Sequence, residues 1–375
     1  MVRYAFHSLL HSPALRLLPA RNHAGVARPR RKLKLATLAL LFPLMTPAAT
    51  NYSARKTVLD GIEVVHLADA ARHIEVSIAV SVGNMAYEMN AGGKNILWFP
   101  YRNPAELKEK PVSCGIPFLA PWANRIDADA YWVNGRKYLL NRGLDNFRHD
   151  AHQQPIHGVL NYSPAWTLVS AGADKRSAWA TSRLEFWRHP EMMAQFPFAH
   201  TLTMTYRLEN GVLEVETTIQ NQSAEPMPVA IGYHPFFQLH DAPRDQWKVN
   251  VPAREHLVLN DLLLPTGESQ PVQFDDPHPL HDTLLEECTN LVRGSDGRAR
   301  FWVEGKAERI TVTYGPKFTV AEVYAPPARE YICFEPLAAI TNAFNEAHAG
   351  VYKELQSIPP GGQWRESFWI TPTGF

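Results

Sequence analysis

From Thr57 onward, apolar and polar positions alternate along most of the chain. A period of two is the mark of strands with one buried face. Residues 75–82 (EVSIAVSV) read as a half-buried strand. Residues 200–222 (HTLTMTYRLENGVLEVETTIQNQ) hold two alternating runs around Asn210-Gly211. That dipeptide favours a tight hairpin, because both central residues need positive φ. Residues 131–138 (YWVNGRKY) repeat the device at Asn134-Gly135, and 309–324 gives two more runs, ITVTY and FTVAEVY, parted by Gly315-Pro316. Helical periodicity is rare. Closely spaced strands without a strand–helix–strand rhythm predict an all-β fold, an antiparallel sandwich or barrel. No composition break falls after residue 60, so 51–375 reads as a single domain preceded by a distinct segment, 1–50.

Composition supports a folded chain. Hydrophobic residues make up 45% and charged residues 20% of 375 positions, which excludes disorder for most of the length. The net charge of zero conceals an asymmetry. No Asp or Glu occurs before Asp60, whereas residues 1–50 carry eight Lys or Arg. The remainder is acidic by eight charges, with 29 basic against 37 acidic residues. A body of that sign argues against a nucleic-acid partner, which needs a basic face. Three cysteines, Cys114, Cys288 and Cys333, make no metal spacing and no disulfide framework, and read as buried free thiols or at most one bridge.

The N-terminus has its own plan. A basic cluster at 28–34 precedes an 11-residue apolar run at 35–45 (LATLALLFPLM) and a small uncharged stretch at 46–50 (TPAAT). Charged, apolar and small regions in that order form a secretory signal. The run is too short to span a membrane. The expectation is export to the periplasm or medium after removal of 1–50. The alternatives are a transit peptide or an unstructured tail on a protein that stays in the cytoplasm.

Four segments carry possible chemistry: 114–126 (CGIPFLAPWANRI), 155–166 (PIHGVLNYSPAW), 229–239 (VAIGYHPFFQL) and 331–345 (YICFEPLAAITNAFN). Each sets a polar or ionisable residue beside Gly, Pro or aromatics, a composition suited to loops at the rim of a sheet. Singly, each has a bland reading. Arg125 suits a loop-closing ion pair, His157 a turn histidine, and His234 a capping histidine at a strand end. Glu335, closing the apolar run Tyr-Ile-Cys-Phe, is either a paired structural carboxylate or one raised in pKa by burial.

Together and in this order, the four segments resemble the aldose 1-epimerase family, the galactose mutarotases. The resemblance rests on Asn124-Arg125-Ile126, Ile156-His157-Gly158, Gly232-Tyr233-His234-Pro235-Phe236-Phe237, and Phe334-Glu335-Pro336 followed by 342–345 (NAFN). It implies a large twisted antiparallel β-sandwich of the galactose mutarotase type, a sugar cleft, a small-molecule sugar substrate and no cofactor or metal. It implies Glu335 as base, His234 as acid and His157 as a holder of the oxygens near C1. Arg125 and Asn124 would bind hydroxyls. Trp122, Phe236 or Phe237 would pack on the C–H face of the ring. The acidic sugar contact of the family falls in 281–291 (HDTLLEECTNL), with Glu286 as its equivalent and Asp282 as the alternative.

The residue types suit the reaction. Interconverting anomers needs a base for the C1 hydroxyl proton and an acid for the ring oxygen, with roles reversed on closure. Three other readings use the same residues. A hexose-phosphate epimerase would need further cations, supplied by Arg142, Arg148 or Lys137. A carbohydrate-binding sandwich would keep Arg125 and the aromatics without needing His234 and Glu335 together. A His/His/Glu metal enzyme has the ligand types but no short-range histidine pair.

If 28–49 is an export signal, exported protein begins within a few residues of Asn51. Mass spectrometry of the mature protein checks this; intact residues 1–50 on it would end the idea.

Overall fold

The computed structural model describes residues 51–273, 277–280 and 285–375, except for the side chains of Leu285 and Glu286. The 1–50 segment and Asp282 lie outside the described residues. Nearly all regular structure is strand, and the strands pair antiparallel. A five-stranded sheet follows chain order through Tyr52–Leu59, Ile62–Asp69, Ile74–Ala79, Met85–Ala91 and Lys94–Asn95. A nine-stranded sheet is centred on His200–Glu209, Val212–Asn221 and Gln363–Thr373. An eight-stranded sheet runs Pro265–Pro271, Ala253–Leu259, Leu285–Leu291, Val320–Tyr324, Ile332–Leu337, Gly232–Tyr233 and Phe118–Leu119, with Phe236–Phe237 also pairing Ile332–Leu337. Side chains from all three sheets, among them Leu67, Val215 and Phe334, meet in one hydrophobic core. The helices are short: Pro104–Glu109, Pro190–Gln195 and Ala343–His348. Among the described residues no helix is long and apolar enough to cross a membrane.

The hairpins form where the alternation places them. Leu202, Met204, Tyr206 and Leu208 face the core from one strand of the 200–222 hairpin, and Leu213, Val215 and Ile219 from the other. Asn210 and Gly211 take φ of 53° and 76°, and Asn134 and Gly135 take 52° and 73°. Both pairs lie in the region that an Asn-Gly turn supplies with little strain. The three cysteines are free and buried.

Two expectations need correction. The 75–82 strand ends at Ala79 and is buried on both faces except at Glu75. A second apolar cluster with Ile62, Val64 and Met85 covers its other side. Ser77 tolerates that burial because it donates to Glu88 at 3.0 Å and lies 3.0 Å from the His66 ring nitrogen. The second correction concerns Gly315-Pro316, which joins two sheets and makes no hairpin. Arg309–Tyr314 pairs within the nine-stranded sheet and Val320–Tyr324 within the eight-stranded one. Gly315 N–H donates to Ser367 O at 3.0 Å, and the Glu366 carboxylate accepts from Lys317 N–H at 2.5 Å. A Cβ at Gly315 would come within 2.7 Å of the backbone Ser367 O as well as against the Glu366 carboxylate, so a side chain here would force the crossing to shift.

The segment 118–126 is held between two others. Val159 N–H donates to Ala120 O at 2.8 Å, His157 N–H to Asn124 O at 2.9 Å, and Ala123 N–H to Ala230 O at 2.6 Å. His157 and Gly158 both take φ of 64°. A Cβ at Gly158 would lie 2.1 Å from Ala120 O, a backbone atom with no room to yield. Gly158→Ala therefore combines a clash with an unfavourable φ and is expected to destabilise the fold by at least ~2 kcal/mol. Urea unfolding measures this; an unchanged midpoint would mean the two segments are not paired this closely.

Candidate active site

Four chain segments converge at one end of the eight-stranded sheet. Ile332–Leu337 is buried along its whole length, so side chains on both faces meet protein. Phe334 packs against Phe237 and Phe301 in the core. Cys333 packs with Phe236 and Tyr331 in a small cluster covered by Trp98. Glu335, two residues on from Cys333, shares its face by the strand period. The two short strands Gly232–Tyr233 and Phe236–Phe237 both pair with Ile332–Leu337, and His234-Pro235 is the link between them. His234 N–H donates to Pro117 O at 3.1 Å, which fixes the link to the 118–126 segment.

This framework brings His234 against Glu335. Its Nε2 lies 3.1 Å from Glu335 Oε1. Glu335 has no solvent exposure, and His234 and His157 have 8% and 7%. The Phe236 ring stacks on His234 at 4.4 Å between centroids and 3° between planes. His157 meets His234 edge-on at 5.6 Å. The buried Nδ1 atoms of both histidines lack a hydrogen-bond partner among the described residues, as do both Glu335 oxygens.

Burial without partners favours neutral forms. Desolvation pushes the Glu335 carboxyl well above the carboxylate range; the nearby Glu322 and Glu287 carboxylates add to this, and Arg125 opposes it. Desolvation lowers His234 to about 3, with Arg148 contributing. His157 falls for the same reason, helped by His234, Arg148 and Arg125. Both shifts favour the neutral forms, a protonated carboxyl beside a neutral imidazole.

Arg125 and Asn124 line the same cavity. Arg125 Nε donates to Asp150 Oδ2 at 2.6 Å. Asp150 is anchored in turn by His152 and Gln154 N–H groups at 2.8 and 3.0 Å. Partial burial pushes the Asp150 carboxyl up, but Arg125 and these N–H groups outweigh it and hold the group below its ordinary value. Asn124, at φ 52°, donates from Nδ2 to Glu287 Oε1 at 2.9 Å and to Glu322. Glu287 also accepts from Thr341 N–H at 2.7 Å. These residues surround a cavity of about 640 Å³ lined by Asn124, Arg125, His157, His234 and Phe236, with Trp98, Arg148, Glu322, Tyr324 and Tyr331. Glu335 is sealed behind this lining. Among the described residues no three His, Cys, Asp or Glu are grouped to hold a metal ion.

Five of the residues singled out from sequence therefore come together: Glu335, His234, His157, Arg125 and Asn124. Of the three aromatic candidates only Phe236 reaches the cavity. Trp122 packs on Phe147 and Phe237 on Phe334, both in the core. The Glu286 side chain and Asp282 lie outside the described residues. Among the described residues the acidic groups that reach this region are Asp150, Glu287 and Glu322, and all three were missed. Glu322 had a signal of sorts, as the one charged residue in FTVAEVY, but alternation alone assigns such a residue to solvent. Of the three cations named for a phosphate, Arg148 lines the cavity, whereas Arg142 bonds Asp129.

A family model described as Aldose 1-epimerase matches residues 87–371. The uncharacterized protein YphB of Escherichia coli (strain K12) is 24% identical over 255 residues, spanning 65% of this chain and 78% of its own. A galactose mutarotase-like protein from Clostridium acetobutylicum superposes with a TM-score of 0.76 at 19% identity, covering 87% of this chain and 99% of that one. A galactose 1-epimerase from Lactobacillus acidophilus NCFM gives 0.65 at 13% identity, covering 87% and 100%. These structural likenesses establish the fold.

Burial of Glu335 has a thermodynamic sign. Below its ordinary value of 4.5 the carboxyl is protonated in folded and unfolded chains alike. Above 4.5 the unfolded chain ionises while the folded one stays protonated. Stability then falls by about 1.4 kcal/mol per pH unit until the folded group ionises too. Glu335→Gln escapes that loss. Its melting temperature is expected to exceed the wild type's by a margin that grows from pH 4.5 upward. A Gln variant less stable than wild type at pH 7 would identify Glu335 as a structural ion-pair partner instead.

Proposed function

Because the chain belongs to the aldose 1-epimerase family, we propose that its cleft binds a free aldohexose and interconverts the α and β anomers by opening and reclosing the ring. The observation that carries this reading is an imidazole, His234, in the wall of a cavity large enough for a hexose, with the buried Glu335 carboxyl directly behind it, 3.1 Å from its Nε2. Anomer exchange consumes no net proton, so a pair that keeps one proton and moves it suits the reaction.

Glu335 is the base and His234 the acid. Substrate entry places the ring oxygen against His234 and parts the lining so that the C1 hydroxyl reaches Glu335 behind it. The pair's proton crosses to His234, leaving Glu335 ionised. Glu335 then takes the O1 proton as His234 protonates O5, and the C1–O5 bond breaks to give the open-chain aldehyde. At this stage Glu335 is protonated and His234 neutral, the distribution that burial favours in the empty site. Rotation about C1–C2 presents the other face of the carbonyl. The reverse transfers close the ring. His157 holds the oxygens near C1, Arg125 and Asn124 bind hydroxyls, and Phe236 packs on the C–H face of the sugar.

Polarimetry of fresh α-glucose, α-galactose and other aldoses tests the activity; rates equal to buffer with every sugar would sink it. Glu335→Gln and His234→Asn should each lower the rate by about 10²–10⁴. The pH profile should be bell-shaped. Its acid limb appears as the pair takes a second proton on His234, at about 3. Its alkaline limb appears as the single proton leaves Glu335, at a pH above the ordinary carboxylate range. A flat profile, or an unchanged rate in the Asn variant, would make His157 the next candidate for the acid.

A further inference from the structure

Glu335 faces charge from every element packed around it. His234 approaches from the 233–236 link, Glu322 from Val320–Tyr324, Glu287 from Leu285–Leu291 and Arg125 from the 118–126 segment. Among the described residues Tyr314, Tyr324 and Cys333 also interact with it electrostatically. Glu322 stands apart in this set for three geometric reasons. It is the direct cross-strand partner of Glu335, since the two residues oppose each other in the pairing of Val320–Tyr324 with Ile332–Leu337. It lines the cavity, whereas Glu335 does not. Its Oε2 is held by Asn124 Nδ2, whose φ of 52° belongs to the segment that also presents Arg125. A carboxylate held by Asn124 and lining a cavity is an oriented acceptor, and two carboxylates on opposed strand positions do not ionise independently.

Resting on the epimerase reading, we propose that Glu322 is a substrate-contacting residue, accepting a hydroxyl of the bound sugar next to the reacting carbon, and that its negative charge decides on which member of the Glu335–His234 pair the shared proton rests. In the empty cleft the Glu322 charge opposes ionisation of Glu335, and the proton stays on the carboxyl. A sugar hydroxyl that donates to Glu322 spreads that charge, and the proton can pass to His234. The base is thereby released when the substrate is seated. Glu287 adds to the same field but is sealed from the cavity and held by Thr341 N–H, so it contributes a constant background.

The test compares Glu322→Gln with Glu322→Asp in the full chain. Aldose affinity is read by quenching of tryptophan fluorescence, since Trp98 lines the cavity, and mutarotation is followed over the pH range. Losing a hydrogen bond to a charged group should weaken binding about tenfold or more in the Gln variant. The missing charge should move the alkaline limb to lower pH by on the order of one unit. The Asp variant keeps the charge but withdraws it from the cavity, so binding should weaken while the pH limb stays in place. Gln affinity within twofold of wild type overturns the proposal, whether or not the limb moves. If the Gln variant does not fold, an Asp variant with wild-type affinity overturns it equally. Wild-type protein that binds an aldose without accelerating mutarotation defeats the epimerase reading, while Glu322 is still judged on affinity. Wild-type protein that binds no aldose defeats both.

Discussion

The sealing of one carboxyl, Glu335, beside one imidazole, His234, is the constraint on which the rest of the site depends. Burial with too few compensating partners pushes the carboxyl's pKa up and the imidazole's down, so both are driven toward their neutral forms. A buried charge without partners is costly, so the pair is stable only while it shares a single proton. That condition needs a strand covered on both faces, an aromatic lid, and neighbouring charges that weigh against a second negative charge. Ile332–Leu337, Phe236 stacked on His234, and Glu322 with Glu287 meet those three needs.

Backbone pairing between distant segments holds the pair and the other cavity-lining residues in one framework. The 118–126 segment is bonded on one side to 155–159 and on the other to 230–234. Asn342 N–H donates to Arg125 O at 2.9 Å, tying the end of the segment to the chain that follows Glu335. Arg125, His157, His234 and Glu335 thus ride on one hydrogen-bonded unit, although they are spread over 210 residues of sequence. Left-handed backbone at Asn124, His157 and Asn342 turns the chain within it. Non-glycine residues take this conformation at a cost that the surrounding pairing must offset.

Charge is distributed to match. The 51–375 body is acidic overall, yet Arg125 and Arg148 converge on the cavity beside Glu322 and the Asp150–Arg125 pair. Mixed charge of this kind offers hydroxyls both donors and acceptors, which a polyhydroxylated ligand needs. Desolvation shifts Glu335, Glu287 and the two histidines toward their neutral forms. Arg125 is paired with Asp150.

Much of the fold was legible in the sequence. A period of two reports that a strand has an inside and an outside, and Asn-Gly reports where it turns, because both are local properties of the backbone. The hairpins at 200–222 and 131–138 form for those reasons. The four motifs in order, through their resemblance to the family, also marked Glu335, His234, His157, Arg125 and Asn124, although Glu335 lies within the strand Ile332–Leu337 and not on a loop. What tertiary structure alone decided is which surfaces face each other. Alternation read 75–82 as half-exposed, but a second cluster covers its outer face. It read Gly315-Pro316 as a turn between neighbours, but Glu366 guides the chain into another sheet. It had no means of separating Phe236, which reaches the cavity, from Trp122 and Phe237, which fill the core. Nor could it show Glu322 opposite Glu335, because that pairing depends on strand register, and register is settled by the packing of side chains far apart in the chain.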